Sequence, residues 1–375
     1  MSTAFLNGSV LTPAGLRPLA LRMEGGLIAA LGADAEAAAA DDRIDLDGDL
    51  LVPGFLDIQV NGGGGVLFND DTTVDGIARI AAAHRRFGST GILPTLISDT
   101  PDKVAAALDA GDAAIDAGVP GILGIHVEGP FISPARHGIH REDRLGTLSE
   151  DMLAVLTRPR RGKVLLTVAP EVVPPALIAR LKAAGVIVAL GHSDADWATA
   201  RAALDAGASG FTHLYNAMSQ LTNRAPGMVG AALEDEAAYA GIIVDGHHIH
   251  PASLRIAVRA KGVDRLMLVT DAMPSVGSDA PDFQLQGRTI RRSGDVLTSD
   301  DGVLAGSTLD MLTAVRNAMA QAGLTLAEAV AMATTSPAAF LGLPAPLLAP
   351  GHAATMLRLS PDLGLRSLWI DGRPA

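Results

Sequence analysis

Cysteine is absent from the sequence, and with it go disulfides, thiolate nucleophiles and thiolate metal ligands, so any metal site must use histidine and carboxylates. Aromatic residues are scarce, 3% against 48% hydrophobic residues in all, which leaves Ala, Val, Leu and Ile to build the core, as parallel sheets buried on both faces commonly do. Basic residues are in deficit. Lys and Arg number 29 against 41 Asp and Glu, a formal charge of −12, which disfavours nucleic acid and acidic membrane surfaces as partners, and no Lys/Arg-rich run counters it. No apolar span approaches the roughly 20 residues that cross a bilayer, and the N-terminus lacks a basic segment followed by a long apolar one. A cytoplasmic protein is the expectation. An anionic substrate remains compatible with this charge where a few local cations face it.

A chain of 375 residues is long enough for one large α/β domain and a smaller companion. Residues 1–53 read as short strands broken by turns: Ala4-Phe5-Leu6, Leu19 to Arg22 and Leu27 to Leu31, with Gly8 and Gly25-Gly26 between them. The run Ala35 to Ala40 reads as a helical turn or a loop. Strand-like patterning returns from Ala353 to Ile370, so residues 1–53 and 346–375 are expected to pair into one small β-sandwich-like domain flanking a domain over 54–345.

Within 54–345 one pattern repeats: a buried apolar run, a polar residue at its end, a loop, then an Ala-rich helix closed by Gly. The runs are Phe55 to Asn61, Ile92 to Leu96, Ile122 to Glu128, Val164 to Ala169, Val186 to His192, Phe211 to His213, Ala240 to Asp245 and Leu266 to Asp271. Between them lie helices such as Pro101 to Ala117, where Thr100 can cap, Pro101 takes the first position and Gly118 follows the end. Eight strand–helix alternations predict a (β/α)8 TIM-like parallel barrel. An open doubly wound sheet would instead carry a Gly-rich phosphate turn after its first strand, and Asn61-Gly62-Gly63-Gly64-Gly65 lacks that pattern.

In a barrel the functional groups come from the C-terminal ends of the strands. Those ends carry Gln59 and Asn61, His126 and Glu128, His192, His213, Asp245 and Asp271. His126 and Glu128 share one face of their strand, and a carboxylate buried there needs charged partners or a metal ion. Glu128, His192 and His213, from strands three, five and six, offer three ligands with one position left open, the arrangement of a catalytic divalent ion. Asp271, ending the eighth run, is placed to take a proton from water and pass it to a leaving group. That combination is hydrolysis. For each histidine alone, a hydrogen-bonded core role is the simpler reading; it is their shared position in the repeat that favours ligation.

Pro53-Gly54-Phe55-Leu56-Asp57-Ile58-Gln59-Val60-Asn61-Gly62, His126-Val127-Glu128-Gly129-Pro130-Phe131, Gly191-His192-Ser193, Thr212-His213-Leu214-Tyr215-Asn216-Ala217-Met218, Asp245-Gly246 with His248, and Leu304-Ala305-Gly306-Ser307 resemble, in order and over nearly the whole chain, the N-acetylglucosamine-6-phosphate deacetylase family of the amidohydrolase superfamily. The resemblance implies hydrolysis of the acetamide of N-acetylglucosamine 6-phosphate to acetate and glucosamine 6-phosphate. It also implies Glu128, His192 and His213 as metal ligands, Asp271 as the catalytic aspartate, and His140 as a contact to the sugar or the scissile carbonyl. The backbone of Asn216 and Ala217, with Arg224 and His248, would meet the phosphate. In that family the arginine reaches the neighbouring subunit's site, which implies a homodimer.

Many amidohydrolases carry His-x-His on the first strand and a bridging lysine on the fourth. Here the first strand offers Gln59-x-Asn61, both poor metal ligands, and the fourth ends at Ala169-Pro170-Glu171 with Lys163 at its other end. One divalent ion is therefore expected, Zn²⁺ first, with Fe²⁺ accepted by the same ligands. Rival readings are an N-acetylgalactosamine-6-phosphate deacetylase or another amidohydrolase such as a cyclic-amide hydrolase, which would not need Arg224 and His248, and a barrel that binds without catalysis. The segment Ser275 to Phe283 reads as a loop at the entrance.

Overall fold

The computed structural model describes residues 2–375. Eight strands form one sheet in which every neighbouring pair is parallel and consecutive in the chain: β1 (Phe55–Val60), β2 (Ser89–Ile97), β3 (Gly124–Glu128), β4 (Lys163–Val168), β5 (Ile187–Leu190), β6 (Gly210–Phe211), β7 (Tyr239–Ile242) and β8 (Leu266–Leu268). The sheet closes just past the end of β8. Asp271 donates its backbone N–H to Gln59 O at 3.0 Å, and Asn61 donates to Ala272 O at 2.9 Å. Each apolar run read from the sequence contains or overlaps one of these strands, and the polar ends lie at one mouth of the barrel.

Helices α1 (Val74–Arg85), α2 (Pro101–Asp116), α3 (Glu150–Leu156), α4 (Pro175–Ala183), α5 (Trp197–Ala206), α6 (Gly227–Glu234) and α7 (Pro251–Lys261) fill the crossovers, and α8 (Met311–Ala322) follows the last strand. Their starts are chemically specified. Thr100 accepts from the Lys103 N–H ahead of Pro101, and Thr73, Ser149, Asp196 and Asp310 cap in the same way, satisfying donors that the first turn leaves free. His250 caps α7 through a ring nitrogen. No described helix is long and apolar enough to cross a membrane.

The termini form two flanking sheets. One holds Ser2–Leu6, Leu21–Glu24, Leu27–Leu31 and Asp42–Asp45; in the other, Met356–Leu359 pairs antiparallel with Leu50–Pro53, joining the two ends of the chain. Phe5 and Trp369, from different sheets, meet edge-to-face with ring centroids 4.9 Å apart and lie in one apolar cluster. Ala33–Ala37 is a short helix, the helical one of the two forms the Ala-rich run allows.

Residues 275–281, the first part of the expected loop, hold no helix or strand, but a sheet follows them. Asp282–Leu285, Arg288–Ser293 and Val296–Ser299 form an antiparallel sheet, β9 to β11. Its inward residues Leu285, Ile290 and Leu297 pack with Leu67, Ile97, Ile139 and Met273, so the sheet is fastened beside the barrel mouth. Its first turn is Gln286-Gly287, with φ of 49° and 84°, a left-handed pair suited to a two-residue hairpin.

Candidate active site

The barrel mouth opens into a cavity of about 390 Å³ lined by, among others, Asn61, Glu128, His140, His192, His213 and Asp271, a size suited to a small substrate. His192, His213 and Asp271, each just beyond its strand, hold φ of 48°, 32° and 52°. Left-handed backbone is uncommon for residues with a side chain and gathers at functional sites. It turns these three side chains off the strand direction at the mouth.

Three atoms converge there. His213 Nε2 lies 3.0 Å from Glu128 Oε1 and 3.0 Å from His192 Nε2, and His192 Nε2 lies 3.3 Å from Glu128 Oε1. Tetrahedral ligands at bond lengths of about 2.0 Å stand about 3.3 Å apart, so this triangle fits one face of a small divalent cation's shell. The proton position on His192 agrees. His192 Nδ1 lies 2.9 Å from Arg136 O; a carbonyl only accepts, so Nδ1 carries the hydrogen and Nε2 keeps its lone pair towards the triangle. Burial alone would raise Glu128, but the contacts with the His192 and His213 rings hold it well below the usual carboxylate range. Burial also opposes charge on His213, and the contact with Glu128 outweighs it and raises that ring.

Glu128, His140 and His192 also bring ligand atoms within 4.8 Å of one another, which makes His140 a geometric competitor for a metal. Its tautomer argues otherwise. Nδ1 lies 3.2 Å from the Ser98 backbone N and 2.7 Å from Ser98 Oγ. A backbone N–H only donates, so Nδ1 accepts and the ring hydrogen sits on Nε2. Burial, followed by the neighbouring His192, keeps the ring neutral. His140 thus offers the cavity an N–H donor.

Asp271 faces this cluster. Burial and then the nearby Glu128 carboxylate raise it to about 6. Two amides hold it: Asn61 Nδ2 donates to Asp271 Oδ1 at 2.6 Å, and Gln59 Nε2 donates to the same oxygen at 3.1 Å and to both Glu128 oxygens at 3.2 and 3.3 Å. Gln59 and Asn61, read from the sequence only as poor ligands, are the donors that tie the two carboxylates together. His126, on the Glu128 face, bonds instead to Thr167 Oγ1 at 2.8 Å and Thr95 Oγ1 at 3.4 Å, filling the barrel beneath the site. Glu171 accepts from Ser193 Oγ and the Asp194 N–H, bracing the loop that follows His192.

Asn216, Ala217 and His248 also line the cavity, and His248 Nδ1 meets Asp245 Oδ2 at 2.6 Å. Arg224 does not line it. It lies in the exposed run from Gln220 to Pro226 and makes no ion pair among the described residues.

The chain is similar to known proteins over nearly its whole length. Over 356 residues the chain is 47% identical to the N-acetylgalactosamine-6-phosphate deacetylase of Shewanella sp. (strain ANA-3), across 94% of this chain and 90% of the relative. It is 32% identical over 364 residues to the N-acetylglucosamine-6-phosphate deacetylase of Haemophilus influenzae, across 96% and 95%. The crystal structure of N-acetylglucosamine-6-phosphate deacetylase from Pasteurella multocida superposes with a TM-score of 0.96 at 31% identity, over the whole of both chains. The pattern that defines the amidohydrolase family runs from residue 50 to residue 374, through the entire barrel, and the chain belongs to that metal-dependent family.

Proposed function

We propose that the protein hydrolyses the acetamide of N-acetylglucosamine 6-phosphate, releasing acetate and glucosamine 6-phosphate. The observation that carries this reading is the meeting, in one cavity, of the Glu128–His192–His213 triangle with Asp271 and the His140 N–H. Glu128, His192 and His213 would hold one divalent ion, Zn²⁺ or Fe²⁺, which would supply positive charge to acidify water and polarise the acetyl carbonyl.

The chain's own groups do the rest. His140 donates from Nε2 to the acetyl oxygen as negative charge gathers there. Asp271 takes a proton from the attacking water, whose hydroxyl joins the acetyl carbon. The C–N bond then breaks, and Asp271 returns the proton to the departing amine. The Asn216 and Ala217 backbone and His248 meet the phosphate, joined by Arg224 from the neighbouring subunit of a homodimer.

The C4 epimer, N-acetylgalactosamine 6-phosphate, is a second reading, favoured by the higher identity to the Shewanella relative than to the Haemophilus one. Acetate release measured on both sugar phosphates, with and without chelator, tests the proposal. Release from one or both, lost on chelation and restored by about one ion per chain, is expected. Chelator-resistant turnover, or turnover of neither sugar, overturns it.

A further inference from the structure

His140 is fixed by Ser98, and Ser98 is not fixed by the barrel alone. It follows the last residue of β2 and is fully buried. Its carbonyl accepts from Gln286 Nε2 at 2.9 Å, and the same amide reaches Asp99 Oδ2 at 3.2 Å. Gln286 sits at the tip of the β9–β10 hairpin. That tip also grips the other side of His140: Arg141 Nη1 donates to Gln286 O at 3.1 Å, and Arg288 Nη1 donates to Ile139 O at 3.4 Å. The residues before and after His140, and the residue that sets its tautomer, therefore all bond to one turn.

The orientation of the Gln286 amide is dictated by these partners. Its Oε1 is buried without a hydrogen bond, an arrangement that ordinarily destabilises. Flipping the amide would set an oxygen against the Ser98 carbonyl and the Asp99 carboxylate, which is worse. The side chain leaves one acceptor unsatisfied in order to hold Ser98.

We propose that Gln286 is a positioning residue of the reaction: through Ser98 it keeps His140 in the Nε2–H tautomer, aimed at the acetyl oxygen, and the hairpin after β8 is the brace for that donor. This inference rests on the role given to His140 above. A cavity group that must donate at one point is sensitive to displacements well under an ångström, and Ser98 has little room of its own. A Cβ on Gly129 would lie 2.2 Å from Ser98 Oγ.

The test is a double-mutant cycle on the metal-loaded enzyme, with Gln286→Ala, Gln286→Glu and His140→Ala. Gln286→Ala should lower kcat about tenfold with KM and metal content unchanged. Gln286→Glu keeps the length but brings a carboxylate to Ser98 O and Asp99, and it should lower kcat further. In the His140→Ala background neither change should reduce kcat again, because the effect passes through the missing ring. The ¹⁵N spectrum of labelled histidine, assigned with His140→Ala, should show a bare Nδ1 at His140 in the parent and a mixed signal in Gln286→Ala. A Gln286→Ala enzyme with parental kcat and an unchanged His140 signal overturns the inference, as does an equal loss in the His140→Ala background. Full activity in His140→Ala with the tautomer signal still dependent on Gln286 would remove the catalytic role of His140 and leave the brace standing.

Discussion

Asp57, Gln59 and Asn61 alternate along β1 and the residue after it, so all three point into the barrel. The outer two of them reach the site, while Asp57 lies a layer below, where it accepts from the Thr270 hydroxyl and from the backbone N–H of Thr270 and Gln59. Burial lifts Asp57 from its ordinary value of 3.8 to about 7. An acid whose folded pKa is raised contributes stability that is complete below its unfolded pKa and fades as pH rises through the folded one. Parental stability should therefore fall between pH 3.8 and about 7 through this group, whereas Asp57→Asn, which imitates the protonated acid, should lack that component. Urea unfolding of both proteins at about pH 5 and about pH 8 checks it: the variant should gain on the parent at the higher pH, and a constant difference would show that Asp57 is ionised throughout. Gln59 and Asn61 were legible as polar groups at the strand's end. Asp57 and the partners of all three were not, because Thr270 and Asp271 lie more than 200 positions away and meet β1 only where the barrel closes.

Single elements carried more of their structure in the sequence. The run ending Glu128-Gly129-Pro130 predicts a strand that stops, and β3 ends at Glu128. What the pattern does not tell is why Gly129 must be glycine: its φ is 80°, and Ser98 Oγ occupies the place of a side chain. Gly129→Ala should lower stability by about 1–3 kcal/mol, combining left-handed strain with an overlap in a packed wall, and should lower kcat because the displaced atom is the one that bonds His140. Thermal unfolding and steady-state kinetics on the same sample check both; parental values in each would mean the wall yields freely. The β9–β11 sheet was missed although its signals were present. Gln286-Gly287 and Gly294 mark turns, and Leu285, Ile290 and Leu297 mark its buried face. A run of Gly, Ser, Asp and Pro just before it read as a loop and masked the short strands behind.

For the whole molecule, eight runs at regular spacing made the barrel legible, since strand-to-strand neighbours in that fold follow chain order. The joining of the two terminal segments was legible from their strand patterning, but which strands pair, Leu50–Pro53 with Met356–Leu359, was not, because that contact spans nearly the full length of the chain. The proposed substrate carries a phosphate, which a protein of formal charge −12 can bind only with local cations. His248 is already paired with Asp245 and Arg224 does not line its own cavity, so under the proposed function the phosphate site needs Arg224 from a second subunit. Subunit mixing tests this. Arg224→Ala should raise KM with kcat and metal content kept, and Asp271→Asn should lose on the order of 10²–10⁴ in kcat, the share of a general acid–base group. On the proposed dimer, neither variant alone should turn over substrate appreciably at low concentration. After unfolding and refolding equal amounts together, about half the dimers are hybrids, each with one site that has both its own Asp271 and its partner's Arg224. Activity at low substrate should recover to about a quarter of the parental value. A mixture no more active than the sum of the two variants would place Arg224 in its own subunit's site or outside both.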